Sequence, residues 1–267
     1  MKKTLKIVVL AKQVPDTRNV GKDAMKADGT VNRAALPAIF NPEDLNALEQ
    51  ALVLKDMFPG STVEILTMGP GRAAEIIREG MYRGADGGVL LSDRKFAGSD
   101  TLATSYALSR AILNMKPDII VAGRQAIDGD TAQVGPQVAE KLGWPQITYA
   151  EELLEIKADS LVVKRRLEHG TEIVECPLPL VMTVNGSAPE CRPRHAKLVM
   201  KCKYAKTASE MQEAQEDYTD LRSERPYLNI NEWSVADIDA DDQQLGLTGS
   251  PTKVKKIDNV VFAAKEA

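Results

Sequence analysis

The chain has few of the residues that build metal centres, disulfide frameworks or histidine-based catalytic sites. Its 267 residues include only three cysteines and two histidines, and neither type recurs at the short spacings that metal sites use. We expect Cys176, Cys191 and Cys202 to be free thiols, as in a protein of the reducing cytoplasm. His169 and His195 have no nucleophile motif nearby. The sequence therefore shows no acid–base catalytic machinery.

Long apolar runs and a large excess of one charge are also missing. No stretch approaches the ~20 apolar residues that a membrane-spanning helix needs. The apolar run after the basic N-terminus is too short for the core of a signal peptide. The net charge of −4 gives no support for binding to nucleic acid or to anionic membranes. We therefore expect a cytoplasmic protein that is not inserted in a membrane.

The first half of the chain alternates strand signals with helix signals. Apolar runs typical of buried strands lie at residues 5–10, 62–68, 89–91 and 118–122. Helices are predicted after Asn41, from Arg72 to Met81, after Ser99 or Asp100 to Met115, and after Asp130 to Leu142. This alternation predicts a three-layer α/β fold with a parallel sheet, of Rossmann-like or adenine-nucleotide-hydrolase-like type.

The pattern changes after Gly143, which suits a helix C-cap. Strands at residues 153–156, 161–166, 171–175 and 180–184 are predicted to form an antiparallel extension of the same sheet. From Pro189 onward the chain is polar, and we expect an arm that packs on a partner subunit. The predicted division is a nucleotide-binding domain at 1–188 and a recognition loop with a C-terminal arm at 189–267.

One glycine-containing loop, Gly123 to Pro136, follows a predicted strand and opens a helix. Ligands of open α/β sheets bind at this edge, and helix N-termini bind phosphate. Arg124 is suited to neutralising a pyrophosphate, and Thr131 can donate a hydroxyl. Asp128 and Asp130 would repel phosphate, so we expect Asp130 to cap the helix and Asp128 to contact a ribose or hold a turn. An ordinary β–α loop with a good cap is the alternative.

Two further segments deserve comparison with this loop. Met68 to Ala74 partly mimics the glycine fingerprint of dinucleotide folds, but its third glycine is alanine. Together the two loops predict a sheet edge that flanks one ligand. The long segment from Pro15 to Ile39 is typical of a functional or disordered loop. Trp144 and Trp233 are expected in the core or an interface, not stacked on a flavin.

Four ordered segments resemble the beta subunits of electron transfer flavoproteins. They are Lys12 to Thr17, Asn41 to Asp44, Gly123 to Pro136, and the hairpin region from Val163 to Thr183. The tail from Gly249 to Val254 is also similar to the family. His169 departs from it, since an acid or glycine is usual there. The resemblance covers essentially the whole chain.

The resemblance implies a heterodimer with an FAD-binding alpha subunit and an adenine nucleotide in the beta subunit. Residues 14–17 and 128–136 look like the bifurcating type. There the nucleotide is FAD, NADH is the electron donor, and electrons pass to ferredoxin or flavodoxin and, through the alpha-subunit FAD, to a flavin dehydrogenase. Structural AMP, as in housekeeping members, is the alternative, and an unrelated ATP-binding α/β module is the third possibility. By resemblance, the nucleotide site comprises Leu10, Asn41, Pro42, Glu43, Asp44, Met68, Gly123, Arg124, Gln125, Ala126, Ile127, Asp128, Gly129, Asp130, Thr131, Ala132, Gln133 and Val134.

The family's recognition loop corresponds to residues 194–201, where Leu198 is the expected anchor for the partner dehydrogenase. This loop is shorter than in acyl-CoA-linked relatives. That difference favours a 2-hydroxyacid dehydrogenase of lactate or glycolate type over an acyl-CoA dehydrogenase. For the nearby basic residues Lys197, Lys201, Lys203 and Lys206, a solvated basic arm is the alternative.

Overall fold

The computed structural model describes residues 4–16, 37–214 and 219–252. The strands in these ranges are β1 (Lys6–Leu10), β2 (Gln13–Pro15), β3 (Ala38–Phe40), β4 (Thr62–Met68), β5 (Gly87–Leu91), β6 (Ile119–Gly123), β7 (Gln146–Ile156), β8 (Ser160–Leu167), β9 (Gly170–Pro177), β10 (Leu180–Val184) and β11 (Asn231–Trp233). The α-helices are α1 (Pro42–Met57), α2 (Ala74–Met81), α3 (Thr101–Met115), α4 (Val134–Leu142), α5 (Ala196–Cys202), α6 (Ala208–Ala214) and α7 (Thr219–Glu224). Most of the long segment predicted as a loop, and Thr17, lie outside the described residues.

Nine of these strands form one sheet in the order β11-β5-β4-β1-β6-β10-β7-β8-β9 within the described ranges. Along this order, each neighbouring pair from β11 as far as β10-β7 is parallel. The last two pairs, β7-β8 and β8-β9, are antiparallel. The predicted α/β fold and its antiparallel extension in the same sheet are therefore confirmed. Strands β2 and β3 form a separate antiparallel ribbon.

The predicted antiparallel setting of residues 180–184 is wrong. Strand β10 lies parallel between β6 and β7, and every one of its residues is buried. Its uninterrupted run of apolar residues and threonine is typical of a parallel strand covered on both faces. By contrast, buried residues alternate with partly exposed ones in the first half of β8, and most residues of β9 are exposed.

Strand β1 contributes to both hydrophobic cores because its side chains alternate across the sheet. Ile7 and Val9 pack with α1 and α2 on one face, and Val8 and Leu10 pack with α3 and α4 on the other. The sheet is thus the middle of three layers. Trp144 and Trp233 pack against the second core, as predicted. None of the described helices is both long and apolar enough to cross a membrane.

The predicted helix starts are confirmed in part. Asp100 caps α3 by accepting from the N–H groups of its first turn. Asn41 occupies the N-cap position of α1, but its side chain makes no cap hydrogen bond. The prediction that Asp130 caps the next helix is wrong, because α4 begins at Val134 and Gln133 is its N-cap residue. Gly143 ends α4 in the left-handed conformation, as expected.

The segment after Pro189 packs on the sheet of its own chain. Arg192 pairs with Glu49 of α1 at 2.9 Å, and Arg78 of α2 pairs with Glu210 at 2.9 Å. Strand β11 extends the sheet beside β5. The described residues of this segment therefore contact the α/β core of their own chain, and the predicted division at residue 188 stays a prediction. The contact of this segment with a partner also stays a prediction. Cys176, Cys191 and Cys202 are free thiols.

Candidate functional site

A crevice is expected where the chain direction in the sheet reverses. From β1 the chain moves outward through β4 and β5, and β6 then returns to the other side of β1. A cavity of about 780 Å³ opens at the carboxyl ends of these strands. The predicted residues that line it are Leu10, Asp44, Met68, Gly123, Arg124, Gln125, Ala126, Gly129, Asp130, Thr131, Ala132, Gln133 and Val134.

Asn41, the N-cap residue of α1, and Glu43 in its first turn hold one wall of the cavity in place. The side chain of Asn41 donates to the carbonyl of Gln125 at 2.9 Å and accepts from the N–H of Ile127 at 3.1 Å. Glu43 accepts from the N–H of Gln125 at 3.0 Å. These bonds hold the β6–α4 loop (residues 124–133) against α1. Asn41 and Glu43 therefore position the wall without lining the cavity.

Arg124 is already neutralised by a protein carboxylate. Its guanidinium pairs with Glu43 at 2.9 Å and lies 5.8 Å from the centre of the Tyr149 ring. The hydrogen bond to Glu43 holds the pKa of Arg124 above its usual value. The structure thus places a carboxylate where the sequence predicted a phosphate, and a role of Arg124 in nucleotide binding stays a prediction.

Asp44 joins three elements at the base of the cavity. Its carboxylate accepts from the N–H of Lys12 at 2.8 Å and from the N–H of Gly123 at 3.1 Å. Burial raises the pKa of this carboxyl to about 7, although the two N–H donors act in the opposite direction. A Cβ at residue 123 would collide with this carboxylate and lie 2.7 Å from the carbonyl carbon of Glu43. The close approach of β6 to α1 therefore requires glycine there.

Asp128 fastens the β6–α4 loop to the end of β1. Its carboxylate pairs with Lys12 at 2.7 Å, and its side chain is only 6% exposed. Of the two roles that the sequence left open for Asp128, this contact fits the structural one.

The end of the β6–α4 loop and the start of α4 line the cavity. Asp130 and Ala132 have left-handed φ angles of 48° and 52°, which cost energy for residues other than glycine. Gln133, the N-cap residue of α4, makes no side-chain cap, and the first helical residue, Val134, lines the cavity. An uncapped helix N-terminus is a favourable place for a phosphate.

Sequence reasoning missed one whole wall of the cavity. It comprises Ser92, Asp93, Arg94, Phe96, Ala97, Gly98, Ser99 and Asp100 after β5, and Thr101, Thr104 and Leu108 of α3. We name residues 92–100 the rim loop. The capped start of α3 directly after a strand was the available signal. The second glycine loop, Gly69 to Gly71, also lines the cavity, as do Lys12 and Leu66.

The predicted partner anchor lies away from the cavity on α5. Leu198 is half-buried, whereas Met200 is 64% exposed. Two of the neighbouring lysines lie over aromatic rings: Lys201 is 4.4 Å from the ring centre of Tyr227, and Lys203 contacts Tyr204.

Comparison with known proteins adds an independent line of information. The model of the electron transfer flavoprotein domain matches residues 28–216. The electron transfer flavoprotein beta subunits of Megasphaera elsdenii and Clostridium acetobutylicum are 45% and 44% identical to the chain. The alignments cover 95% and 94% of it and 87% of each relative. The acryloyl-CoA reductase electron transfer subunit gamma of Anaerotignum propionicum is 44% identical over 94% of the chain and 87% of its own length.

Proposed function

This chain belongs to the electron transfer flavoprotein family, and we propose on that basis that it is the beta subunit of a bifurcating heterodimer. In this proposal the cavity binds FAD, and NADH supplies the electrons. One electron leaves for ferredoxin or flavodoxin, and the other passes through the FAD of the alpha subunit to a flavin dehydrogenase.

The size and extent of the cavity carry the choice of FAD over AMP. Its volume of about 780 Å³ lies in the upper part of the range for ligand pockets. The wall built from α1 and the β6–α4 loop would be enough for a mononucleotide. The rim loop and the first turns of α3 enclose additional space at the carboxyl end of β5. That space suits the second half of a dinucleotide.

The residues present fit the chemical parts of FAD. The uncapped start of α4 suits a phosphate, and Gly129 lines the cavity with open space where a Cβ would stand, which leaves room for a ligand beside the backbone. Leu66, Phe96 and Leu108 give the side near α3 an apolar surface that suits a flat ring system. When bound, FAD supplies hydride acceptance and single-electron transfer, and the protein supplies position and electrostatics.

The identity of the partner dehydrogenase is the most specific part of the proposal. A relative named as an electron transfer subunit of acryloyl-CoA reductase supports an acyl-CoA-linked partner. The short recognition loop favours a 2-hydroxyacid dehydrogenase. We propose the acyl-CoA class as the first candidate because the relative matches nearly the whole chain.

Counting the nucleotides of the purified heterodimer tests the proposal. We expect two FAD per heterodimer and no AMP after denaturation and chromatography. The variant Thr104→Phe, which fills the α3 side of the cavity, should leave one FAD. Leu113→Phe is the control, because Leu113 is a half-exposed residue of the same helix outside the cavity wall. One FAD with one AMP in the wild type would replace the bifurcating assignment with the housekeeping one.

A further inference from the structure

Three cationic side chains line the cavity in the described part of the chain, and they differ in how their charge is balanced. Lys12 pairs with Asp128 at 2.7 Å, and Arg124 pairs with Glu43 at 2.9 Å. Arg94 lines the cavity from the exposed rim, and no described residue forms an ion pair or a side-chain hydrogen bond with it. Within the described ranges its charge is therefore unbalanced, which suits an anionic ligand.

Three carboxylates that line the same cavity as Arg94 are engaged by other groups. Asp93 accepts from two backbone N–H groups at 3.0 and 3.3 Å. Asp100 caps α3 through two more. Asp130 accepts from the side chain of Gln125 at 2.9 Å. These acids hold the loops in place, and among the described residues none is within ion-pair distance of Arg94.

The rim loop that carries Arg94 is fixed by the C-terminal segment (residues 234–252). Lys95 pairs with Asp242 at 2.6 Å, and the N–H of Asp100 donates to the hydroxyl of Ser250 at 2.8 Å. A Cβ at Gly98 would lie 2.6 Å from the side chain of Leu247, so the two segments are in close contact. The backbone beneath Arg94 is thus pre-organised, which favours a binding role.

Arg94 and the start of α4 belong to different parts of the site. Strands β5 and β6 are separated by β4 and β1. Three interstrand steps correspond to about 14 Å between their ends. If the resident nucleotide places its phosphates at α4, the charge of Arg94 is left for a second phosphate group. Its exposure suits a ligand that must leave after each turnover.

We infer that Arg94 binds the pyrophosphate of the nicotinamide dinucleotide that delivers electrons to the cavity. This inference rests on the proposed function. It gives Arg94, at the exposed edge of the rim loop, a role in recognising the visiting donor, while the β6–α4 loop and the apolar side near α3, with Phe96 and Leu108, hold the resident dinucleotide. A charged hydrogen bond to a phosphate corresponds to roughly tenfold or more in affinity.

Calorimetric titration of the flavin-loaded heterodimer with NAD⁺ tests the inference without turnover. We expect Arg94→Ala to weaken binding of NAD⁺ roughly tenfold and to reduce the salt dependence of binding, with the flavin content unchanged. Arg94→Lys should recover part of the affinity, since it keeps the charge but not the fork of donors. Arg72→Ala is the matched control, because Arg72 is exposed near the site and does not line the cavity.

Two results would overturn the inference. Unchanged affinity of Arg94→Ala for NAD⁺ would show that this charge does not reach the donor. Loss of flavin from Arg94→Ala, with Arg72→Ala still loaded, would assign Arg94 to the resident nucleotide. Absence of beta-site flavin in the wild type would contradict the proposed function instead, so the two failures are separable.

Discussion

At the scale of single residues, Asp44 is a buried acid that connects β1, α1 and β6 at the cavity base. Its oxygens accept from the backbone N–H groups of Lys12 and Gly123, and burial raises its pKa to about 7. In the unfolded chain its pKa is near 3.8. The folded state therefore binds more protons between these two values, and this group makes the fold less stable as pH rises through that window.

We expect this loss of stability to amount to about 2–3 kcal/mol between pH 5 and pH 8. Asp44→Asn should remove it, because asparagine does not titrate. The free energies of unfolding of wild type and variant, measured in urea at pH 5, 6.5 and 8, should diverge accordingly. Carboxyl groups with lowered pKa values, such as Glu49 and Glu151, titrate below this range. Parallel pH profiles for the two proteins would contradict the assignment.

Residue types in the site were predictable, but the partner of each side chain was not. The sequence identified Asn41, Glu43 and Arg124 as site residues. It did not show that Asn41 would bind the β6–α4 loop instead of capping α1, or that Glu43 would neutralise Arg124. These contacts join residues more than 80 positions apart, and local pattern carries no information about such pairs.

At the scale of elements, the β6–α4 loop stores strain beside the cavity. Asp130 and Ala132 adopt left-handed φ angles, and the side chain of Thr101 reaches across from α3 to Gln133 at 2.8 Å. Left-handed backbone costs a residue with a Cβ roughly 1–2 kcal/mol. Strain of this kind persists at sites whose surroundings over-determine the backbone, which agrees with a binding role for the loop.

The strain at Ala132 predicts an unusual response to glycine. Ala132→Gly should relieve the left-handed strain but increase the entropy of the unfolded chain, for a net stabilisation of about 0.5–1 kcal/mol. Ala126→Gly in the same loop, at ordinary negative φ, should destabilise by about 0.4–1 kcal/mol. Urea unfolding of both variants measures the difference. Equal destabilisation by the two substitutions would mean that Ala132 is not held in the left-handed region.

The alternation of strands and helices was enough to predict the class of the sheet. It did not predict the place of β10 in the sheet or the contribution of the rim loop to the cavity. Strand β10 inserts between β6 and β7 because a buried apolar strand needs neighbours on both edges, and no turn signal specifies which. The rim loop was overlooked because it lacks the glycine pattern of a phosphate loop. It reaches the cavity through the position of β5 in the sheet and through its contacts with the C-terminal segment.

At the scale of the whole molecule, the nucleotide cavity and the predicted partner surface lie on separate elements. The cavity is formed at the carboxyl edge of the parallel strands, whereas α5 packs on α2 on one face of the sheet. Within α5, Val199 packs on the first core, and Leu198 is half-buried without joining that core. A substitution on α5 can therefore weaken the docking of a partner without altering the cavity.

This separation makes docking at Leu198 testable with a matched variant on the same helix. Leu198 and Met200 are two positions apart, so they point about 200° away from each other around α5. If Leu198 is the anchor, Leu198→Ala should slow electron transfer to the dehydrogenase at least several-fold, because a few central residues carry most of the binding energy of an interface. Met200→Ala should change it little. Reduction of bound flavin by NADH should remain normal in both variants, since neither residue lines the cavity.

Stopped-flow assays with acyl-CoA and 2-hydroxyacid dehydrogenases, together with melting temperatures, separate docking from folding. Slowing by Met200→Ala alone would place the contact on the opposite side of α5, and a lowered melting temperature for Leu198→Ala with normal transfer would make Leu198 a structural residue.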